Sequence, residues 1–519
     1  MIFRSPYQAV EIPPLSVVDF VMSRARERGS RAALVDAVTG RQVTYAGLID
    51  DVARASAGLA RLGLAKGDVC AIFSPNDVNY VIAVLAALSL GAIVTTANPL
   101  YTVDELASQL RDAHTRFLFA SPAVQAVALE AARLAGVDRV IAFGEIAGAT
   151  PFDELLTATE PAPNVAIDPN AIVVMPYSSG TTGLPKGVML SHRNLIANIQ
   201  QVDHLRDGED TLICFLPFFH IYGLVVVMLL GLWRGATLVV MPRFDLDQYV
   251  TLIERHRATL LHLVPPVALA LAKHPALEGR DFSSVRKIFS GAAPLGSAVI
   301  ESCTTRLCCD FQQGYGLTEA SPATHTTVDD KALDGSVGVP LASTECCIVD
   351  IASGRHLGAG EGDGELWVRG PQVMLGYFNR PEATRQTIDD EGWLHTGDIA
   401  RADERGHFHI VDRLKELIKY KGMQIAPAEL EGLLVSHPAV ADAAVIPVPD
   451  DEAGEIPKAF VVLKAGTTTE ELMSYVAARV ASFKKIRRME IVDQIPKSPS
   501  GKILRRVLRD RERAAAQGT

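Results

Sequence analysis

Tyr177-Ser-Ser-Gly-Thr-Thr-Gly-Leu-Pro-Lys-Gly-Val-Met-Leu-Ser-His-Arg-Asn194 is the stretch from which the remaining chain is read. It follows the apolar run Ile172-Val-Val-Met175, which reads as a buried strand. It leads into Leu195-Ile-Ala-Asn-Ile199, the start of a helix with Ser191 or Asn194 near its N-cap. Between them lie the hydroxyls of Tyr177, Ser178, Ser179, Thr181 and Thr182, the glycines Gly180, Gly183 and Gly187, and Lys186. Glycine lets backbone N–H groups close on an anion and adopts positive φ. Hydroxyls add donors, and lysine adds a mobile positive charge. A loop of this kind holds a polyphosphate. A plain surface loop has similar composition, but the flanking strand and helix and the lysine favour phosphate. The spacing is not that of a Walker P-loop, which needs four residues between its first glycine and Gly-Lys-Ser/Thr.

The chain of 519 residues is 48% hydrophobic, enough for a large core and about three domains' worth of length. A net charge of −10 and a pI of about 5.8 argue against a nucleic-acid binder. Pro13, Pro14 and Asp19 interrupt any apolar leader, which argues against a signal peptide. The apolar run from Ile221 to Trp233 is too short to span a bilayer and reads as a core helix. Seven cysteines include the adjacent pairs Cys308-Cys309 and Cys346-Cys347, read as small core residues at strand positions. They are expected to be reduced thiols in a cytoplasm. H-E-x-x-H and G-x-S-x-G are both missing, so metalloprotease and α/β-hydrolase readings lack support.

Up to about residue 335 strand-like and helix-like segments alternate: Tyr45–Leu64, Val69–Phe73, Asp77–Leu90, Ala92–Thr95, then Thr211–Leu216, Leu260–Val264 and Val285–Ser290. Alternation of this kind predicts parallel strands with crossover helices, an α/β fold. Ligands in such sheets sit beyond the carboxyl ends of the strands. Residues 336–412 change to short strands with glycine turns, a β-rich subdomain. Beyond the charged junction Asp412-Arg-Leu-Lys-Glu416 a compact α+β unit follows. The expected organisation is a large domain over 1–412 and a small mobile one over 413–519.

Several motifs carry chemistry. Gln312-Gln-Gly-Tyr-Gly-Leu-Thr-Glu319 presents an aromatic face on a tight turn, suited to stacking on a purine, with the Thr318 hydroxyl and the Glu319 carboxylate, a candidate for Mg²⁺, following it. Taken alone, Gly-Tyr-Gly is a common turn. Thr396-Gly-Asp398 places a carboxylate able to accept both ribose hydroxyls, though an Asp after Gly also forms turns. Pro496-Lys-Ser-Pro-Ser-Gly-Lys-Ile503 is a Pro/Gly-bounded loop ahead of an arginine-rich helix. Read by themselves, Lys484-Lys485, Arg487-Arg488 and Arg505-Arg506 are solvated faces.

In this order the motifs resemble, over the full length, those of the AMP-forming acyl-adenylating superfamily: acyl- and aryl-CoA ligases, peptide-synthetase adenylation domains and luciferases. Phe218-Phe-His-Ile-Tyr-Gly223, Ser290-Gly-Ala-Ala-Pro-Leu295 and Asp412-Arg-Leu-Lys-Glu-Leu-Ile-Lys-Tyr-Lys-Gly422 are most similar to 4-coumarate–CoA ligases. Plant members carry a cysteine near the position of Trp367, a departure that touches no catalytic position.

The resemblance implies ATP, Mg²⁺ and coenzyme A as co-substrates and assigns roles. Lys502 falls on the catalytic lysine, and His220 on a gate or carboxylate contact. Ser178, Ser179, Gly180, Thr181, Thr182 and Lys186 would hold the phosphates. Gln313, Gly314, Tyr315, Thr318, Asp398, Arg413, Lys415, Lys419 and Gln424 would serve the nucleotide, and Glu319 the metal. Lys421 and Gly422 would face the thiol acceptor, and Arg243 coenzyme A. Tyr222, Gly291, Ala292, Ala293, Gly316, Pro322 and Ala323 would wall the acyl site. The small residues among them leave a slot for a flat aromatic acid such as 4-coumarate or cinnamate, and none is charged. A medium-chain fatty acid would also fit. A luciferase-like oxygenase shares every motif. A carrier-loading module would need a carrier domain that does not follow Thr519, and a non-catalytic relative would lack Lys502 or Glu319.

Overall fold

The computed structural model describes residues 1–178, 185–203, 210–293, 295–327, 335–421, 423–450, 453–464, 466–480, 482–498 and 501–517, apart from the side chains of residues 276, 415, 424 and 515–517. Among these residues the strands form five sheets. The first is built on Val69–Phe73, buried at every position and parallel to Ile93–Ala97 on one side and Thr115–Ala120 on the other. Side chains alternate across a strand. Cys70 and Ile72 therefore enter the core with the helices Tyr45–Arg61 and Val78–Ser89. Ala71 and Phe73 face the helices Val103–Asp112 and Gln125–Ala135. Burial on both faces explains the continuous apolar run in this strand.

A second sheet pairs Thr211–Cys214, Thr237–Val240 and Ala32–Asp36 in parallel. A third pairs Leu260–Leu263, Lys287–Ser290 and Asp310–Gly316 in parallel before turning antiparallel at Ala323–Thr326. The β-rich segment is an antiparallel sheet of Glu345–Val349, Gly364–Arg369, Leu394–Ala402 and Phe408–Arg413, with Phe3–Arg4 added from the N-terminus. In the last sheet Val440–Asp450 and Gly454–Leu463 separate two cores. Ala443 and Val445 pack on Leu430, Leu434 and Leu472 on one face, and Ile446 and Phe460 on Ile495 and Leu508 on the other.

The run Ile221–Trp233 is a buried helix, as its composition predicts, but Tyr222–Leu229 is wound as a π-helix before Leu230–Arg234 tightens to α. π-Turns recur at functional sites, and this one begins on Tyr222. Gly223 has no alternative here, because a Cβ would lie 2.2 Å from the Pro217 carbonyl oxygen.

Three local readings need correction. Lys186 does not sit in a loop running straight into a helix. It starts a strand, Lys186–Ser191, antiparallel to Tyr177–Ser178 and to Ile172–Val174. The apolar Val188 and Leu190 are buried there, so the segment extends a sheet before the helix His192–Asp203 begins. Ser191 and Asn194 do form the cap, each side chain accepting from the other's backbone N–H at 3.1 and 2.9 Å. Gly314-Tyr-Gly316 is likewise the end of the strand Asp310–Gly316, with a register shift at Tyr315, instead of a free turn. Cys346 and Cys347 are buried strand residues, but Cys308 closes the helix Ser297–Leu307 at φ +50° and is exposed. All seven cysteines are free thiols. Among the described residues no helix is long and apolar enough to cross a membrane.

Candidate active site

The site lies where strands of three sheets end. Asn76, buried after Val69–Phe73, clips the segment that follows Thr211–Cys214. Its amide donates to the Cys214 and Leu216 carbonyls at 3.1 and 3.0 Å, and its Oδ1 accepts from Phe218 N–H at 2.8 Å. Thr96 donates to the Phe219 carbonyl at 2.6 Å. These bonds aim His220 into a cleft it shares with Thr96, Asn98, Tyr101, Tyr177 and Thr318. His220 Nδ1 accepts from Tyr222 N–H at 3.3 Å, which puts the neutral ring's proton on Nε2.

Lys502, from the far end of the chain, lies near enough for its charge to act on His220. Ser498 and Lys502 bond each other's backbone, Ser498 N–H to the Lys502 carbonyl at 2.8 Å and Lys502 N–H to Ser498 Oγ at 3.1 Å. Gly501 turns the loop at φ +80°, where a Cβ would stand 3.1 Å from Pro266 of the large domain. Burial, then Arg413, push Lys502 down to about 8, against the pull of Asp398 and Glu319. Burial and the Lys502 charge push His220 down to about 3. The two side chains keep a water-accessible edge, yet protein surrounds them on most sides.

Asp398 ties the wall together. Its Oδ2 accepts from the Tyr315 hydroxyl at 2.6 Å, and its Oδ1 lies 3.5 Å from Arg413 Nε. Burial raises its pKa, while Arg413 and Tyr315 oppose that rise. Opposite, Glu319 Oε1 accepts from Ser178 Oγ at 2.7 Å and from the Tyr377 hydroxyl at 2.9 Å. The Lys186 ammonium stands 4.6 Å over the Tyr377 ring. Lys502 thus feels Arg413 on one side and Asp398, Glu319 and Glu416 on the other, and Lys186 feels Glu319; cations held in this way can receive a polyanion.

Tyr222, Gly291 and Gly314 meet at one wall. A Cβ on Gly291 would touch Tyr222 Cε1 at 3.4 Å and the Gly314 carbonyl oxygen at 3.8 Å. The Tyr222 hydroxyl meets His262 Nδ1 at 3.1 Å and the Phe289 carbonyl at 3.2 Å. Gly316 lies against Pro322, whose carbonyl oxygen would be 2.1 Å from an added Cβ, and Ala323 is braced by Asn198. Ala292 sits at φ +76°, and Ala293 is exposed.

Other predicted residues lie elsewhere. The Gln313 side chain is buried and braces Leu295 N–H and the Ser336 carbonyl, at 3.1 and 3.4 Å. Lys419 and Lys421 are exposed on the hairpin of Ile418–Tyr420 and Met423–Ile425, and Arg243 is exposed before the helix Leu246–His256. Ser179, Gly180, Thr181, Thr182 and Gly422 lie outside the described residues, as do the side chains of Lys415 and Gln424. Sequence reasoning missed Asn76, Tyr377 and the Arg380–Asp112 pair at 2.7 Å, whose carboxylate also accepts from Tyr177 at 2.7 Å. Their partners are far away in sequence, so no local pattern marks them.

A cleft lined by carboxylates and cations from distant segments, with a C-terminal-loop lysine beside it, fits a nucleotide-dependent activating enzyme. The chain belongs to the AMP-binding enzyme family: the family's model matches residues 21–378, and the model of the AMP-binding enzyme C-terminal domain matches residues 429–502. It is 44% identical to 4-coumarate–CoA ligase 5 of Oryza sativa subsp. japonica, across 98% of this chain and 97% of that one. It is 40% identical to the 4-coumarate–CoA ligase of Vanilla planifolia, across 100% and 98%. Among solved structures it resembles an anthranilate CoA ligase in complex with anthranoyl-AMP, with a TM-score of 0.89, 25% identity and coverage of 98% and 99%. ATP-bound MatB from Rhodopseudomonas palustris follows with a TM-score of 0.86, 28% identity and coverage of 96% and 99%.

Proposed function

We propose that the chain is an AMP-forming ligase that joins a 4-coumarate- or cinnamate-type acid to coenzyme A through an acyl-adenylate. The observation that supports this is Lys502, carried on a C-terminal loop, whose charge is felt by His220 and which itself feels Asp398 and Glu319. The full-length likeness to 4-coumarate–CoA ligases supports the acid class.

In the first half-reaction a carboxylate oxygen of the acid bonds to the α-phosphorus of ATP, and the bond to pyrophosphate breaks. Positioning and charge neutralisation carry such a step. Lys502 bridges the carboxylate and the α-phosphate, Asp398 holds the ribose, Tyr315 packs on the adenine, and the segment from Ser178 to Lys186 holds the β- and γ-phosphates. Neutral His220 donates from Nε2 toward the acid. The donor set suits Mg²⁺: one carboxylate, Glu319, with no three-residue metal cluster among the described residues, is how a phosphate-borne Mg²⁺ is held. Glu319, with the Thr318 hydroxyl beside it, would hold the ion, which supplies charge neutralisation on the phosphates.

In the second half-reaction the small domain turns about the junction near Asp412. Lys502 withdraws and the Lys421 face, exposed in the present arrangement, comes in. The coenzyme A thiol gives its proton to water, its sulfur bonds to the acyl carbon, and AMP leaves with the electron pair of the broken acyl–phosphate bond. A panel of acids assayed for AMP release with and without coenzyme A tests the reading. Hydroxycinnamates and cinnamate are expected to lead, and a strong preference for octanoate would overturn the aryl assignment.

A further inference from the structure

Tyr377 touches both sides of the phosphate cleft. It lies on the short strand Gly376–Tyr377, which pairs with Lys186–Ser191, its Cα opposite Val188. Its hydroxyl donates to Glu319 Oε1, the same oxygen that receives Ser178 Oγ. The Lys186 ammonium rests over its ring at 4.6 Å. Lys186 and Glu319 are both buried and feel each other's charge. Two buried opposite charges gain most by closing into a direct pair. Among the described residues Lys186 forms no ion pair; its ammonium meets the Tyr377 ring face instead.

We propose that Tyr377 is a positioning residue that keeps Lys186 and Glu319 apart. The ring face gives the ammonium an attractive resting place. The hydroxyl fixes the carboxylate by a bond that a lysine would otherwise satisfy. Together they hold the cation ready for a phosphate. A tyrosine serving only the core would have no reason to carry a lysine on one face and a carboxylate on its hydroxyl. The assignment rests on the nucleotide reading of the cleft, and its test separates the two.

The measurement is equilibrium binding of ATP by calorimetry in the presence of a chelator, without acid or coenzyme A, on the full chain. Tyr377→Leu is expected to weaken ATP binding by about tenfold in the native background and by less than about twofold alongside Glu319→Gln, where no anion remains for Lys186 to collapse onto. Tyr377→Phe keeps the ring volume, guards against a folding failure of the leucine variant, and is expected to cost about threefold in the first background and nothing in the second. Equal losses in both backgrounds, with normal ATP binding by the parent, would reduce Tyr377 to packing and overturn the proposal alone. A parent protein that binds no ATP would overturn the nucleotide reading and this inference together.

Discussion

The Tyr315 hydroxyl donates to Asp398 Oδ2 over 2.6 Å, joining the end of a parallel-sheet strand to the β-rich sheet. The base and ribose contacts proposed for these two residues would therefore depend on one bond. Asp398→Ala is expected to raise the KM for ATP by about 10–100-fold, the worth of a hydrogen bond to a charged group, and Tyr315→Phe by about 2–10-fold. Steady-state kinetics with ATP and the acid varied separately check this: the KM for the acid should stay within about twofold in both variants.

Lys502 supplies a pH signature. Its pKa is pushed down to about 8 by burial and Arg413, so its cation is complete below that value and is lost as pH rises through it. The kcat/KM for ATP in adenylate formation, which reports the free enzyme, should fall on the alkaline side with a midpoint near 8. Lys502→Arg keeps the charge and should flatten that limb at a lower rate. An identical alkaline limb in the arginine variant would assign it to another group.

The acyl slot proposed beside Tyr222 has a steric test. A Cβ on Gly291 would meet Tyr222 Cε1 at 3.4 Å, ordinary contact, whereas one on Gly314 would meet Phe289 Cζ at 2.6 Å. Gly291→Ala should fold normally and raise the KM for an aromatic acid by about 3–10-fold with the KM for ATP unchanged; Gly314→Ala should also lower thermal stability, since overpacking costs about 1–3 kcal/mol. An ATP defect in Gly291→Ala would move this glycine out of the acyl wall.

Arg505 starts the helix Arg505–Gln517 and is held by Glu416, in the turn after Asp412, and by Glu431 Oε2 at 2.7 Å. Removing it leaves buried carboxylates unpaired, so Arg505→Met should destabilise the protein by about 3–5 kcal/mol in denaturant titrations. Burial raises Glu431 to about 7, against Arg505 and the Val445 N–H. Between the ordinary carboxylate pKa and 7 the folded state keeps a proton that the unfolded chain has lost. The Glu431 contribution to stability therefore declines as pH rises through that window. Glu431→Gln should remove this slope from a plot of Tm against pH, and an unaltered slope would show that Glu431 does not titrate there.

Much of this was legible in the sequence, for identifiable reasons. Val69–Phe73 announces itself because a strand buried on both faces needs an unbroken apolar run. Asp77 marks a helix start because its side chain caps it. Lys502, Asp398 and Glu319 stand in motifs whose order is itself informative. Lys186 misled, because Gly187-Val-Met-Leu190 is short enough to pass for loop-to-helix, and only pairing with Ile172–Val174 makes it a strand. Asn76 and Tyr377 were invisible: each acts on groups 58 or more residues away, and nothing beside them in the chain signals it.

Acid-dependent exchange of labelled pyrophosphate into ATP tests the central claim most directly, because it reads adenylate formation alone. With 4-coumarate or cinnamate the protein should exchange label without coenzyme A. Lys502→Ala should lower that rate by about 10²–10³-fold while still converting supplied acyl-adenylate to thioester. Exchange with no acid on the panel, or full exchange in the alanine variant, would contradict the account.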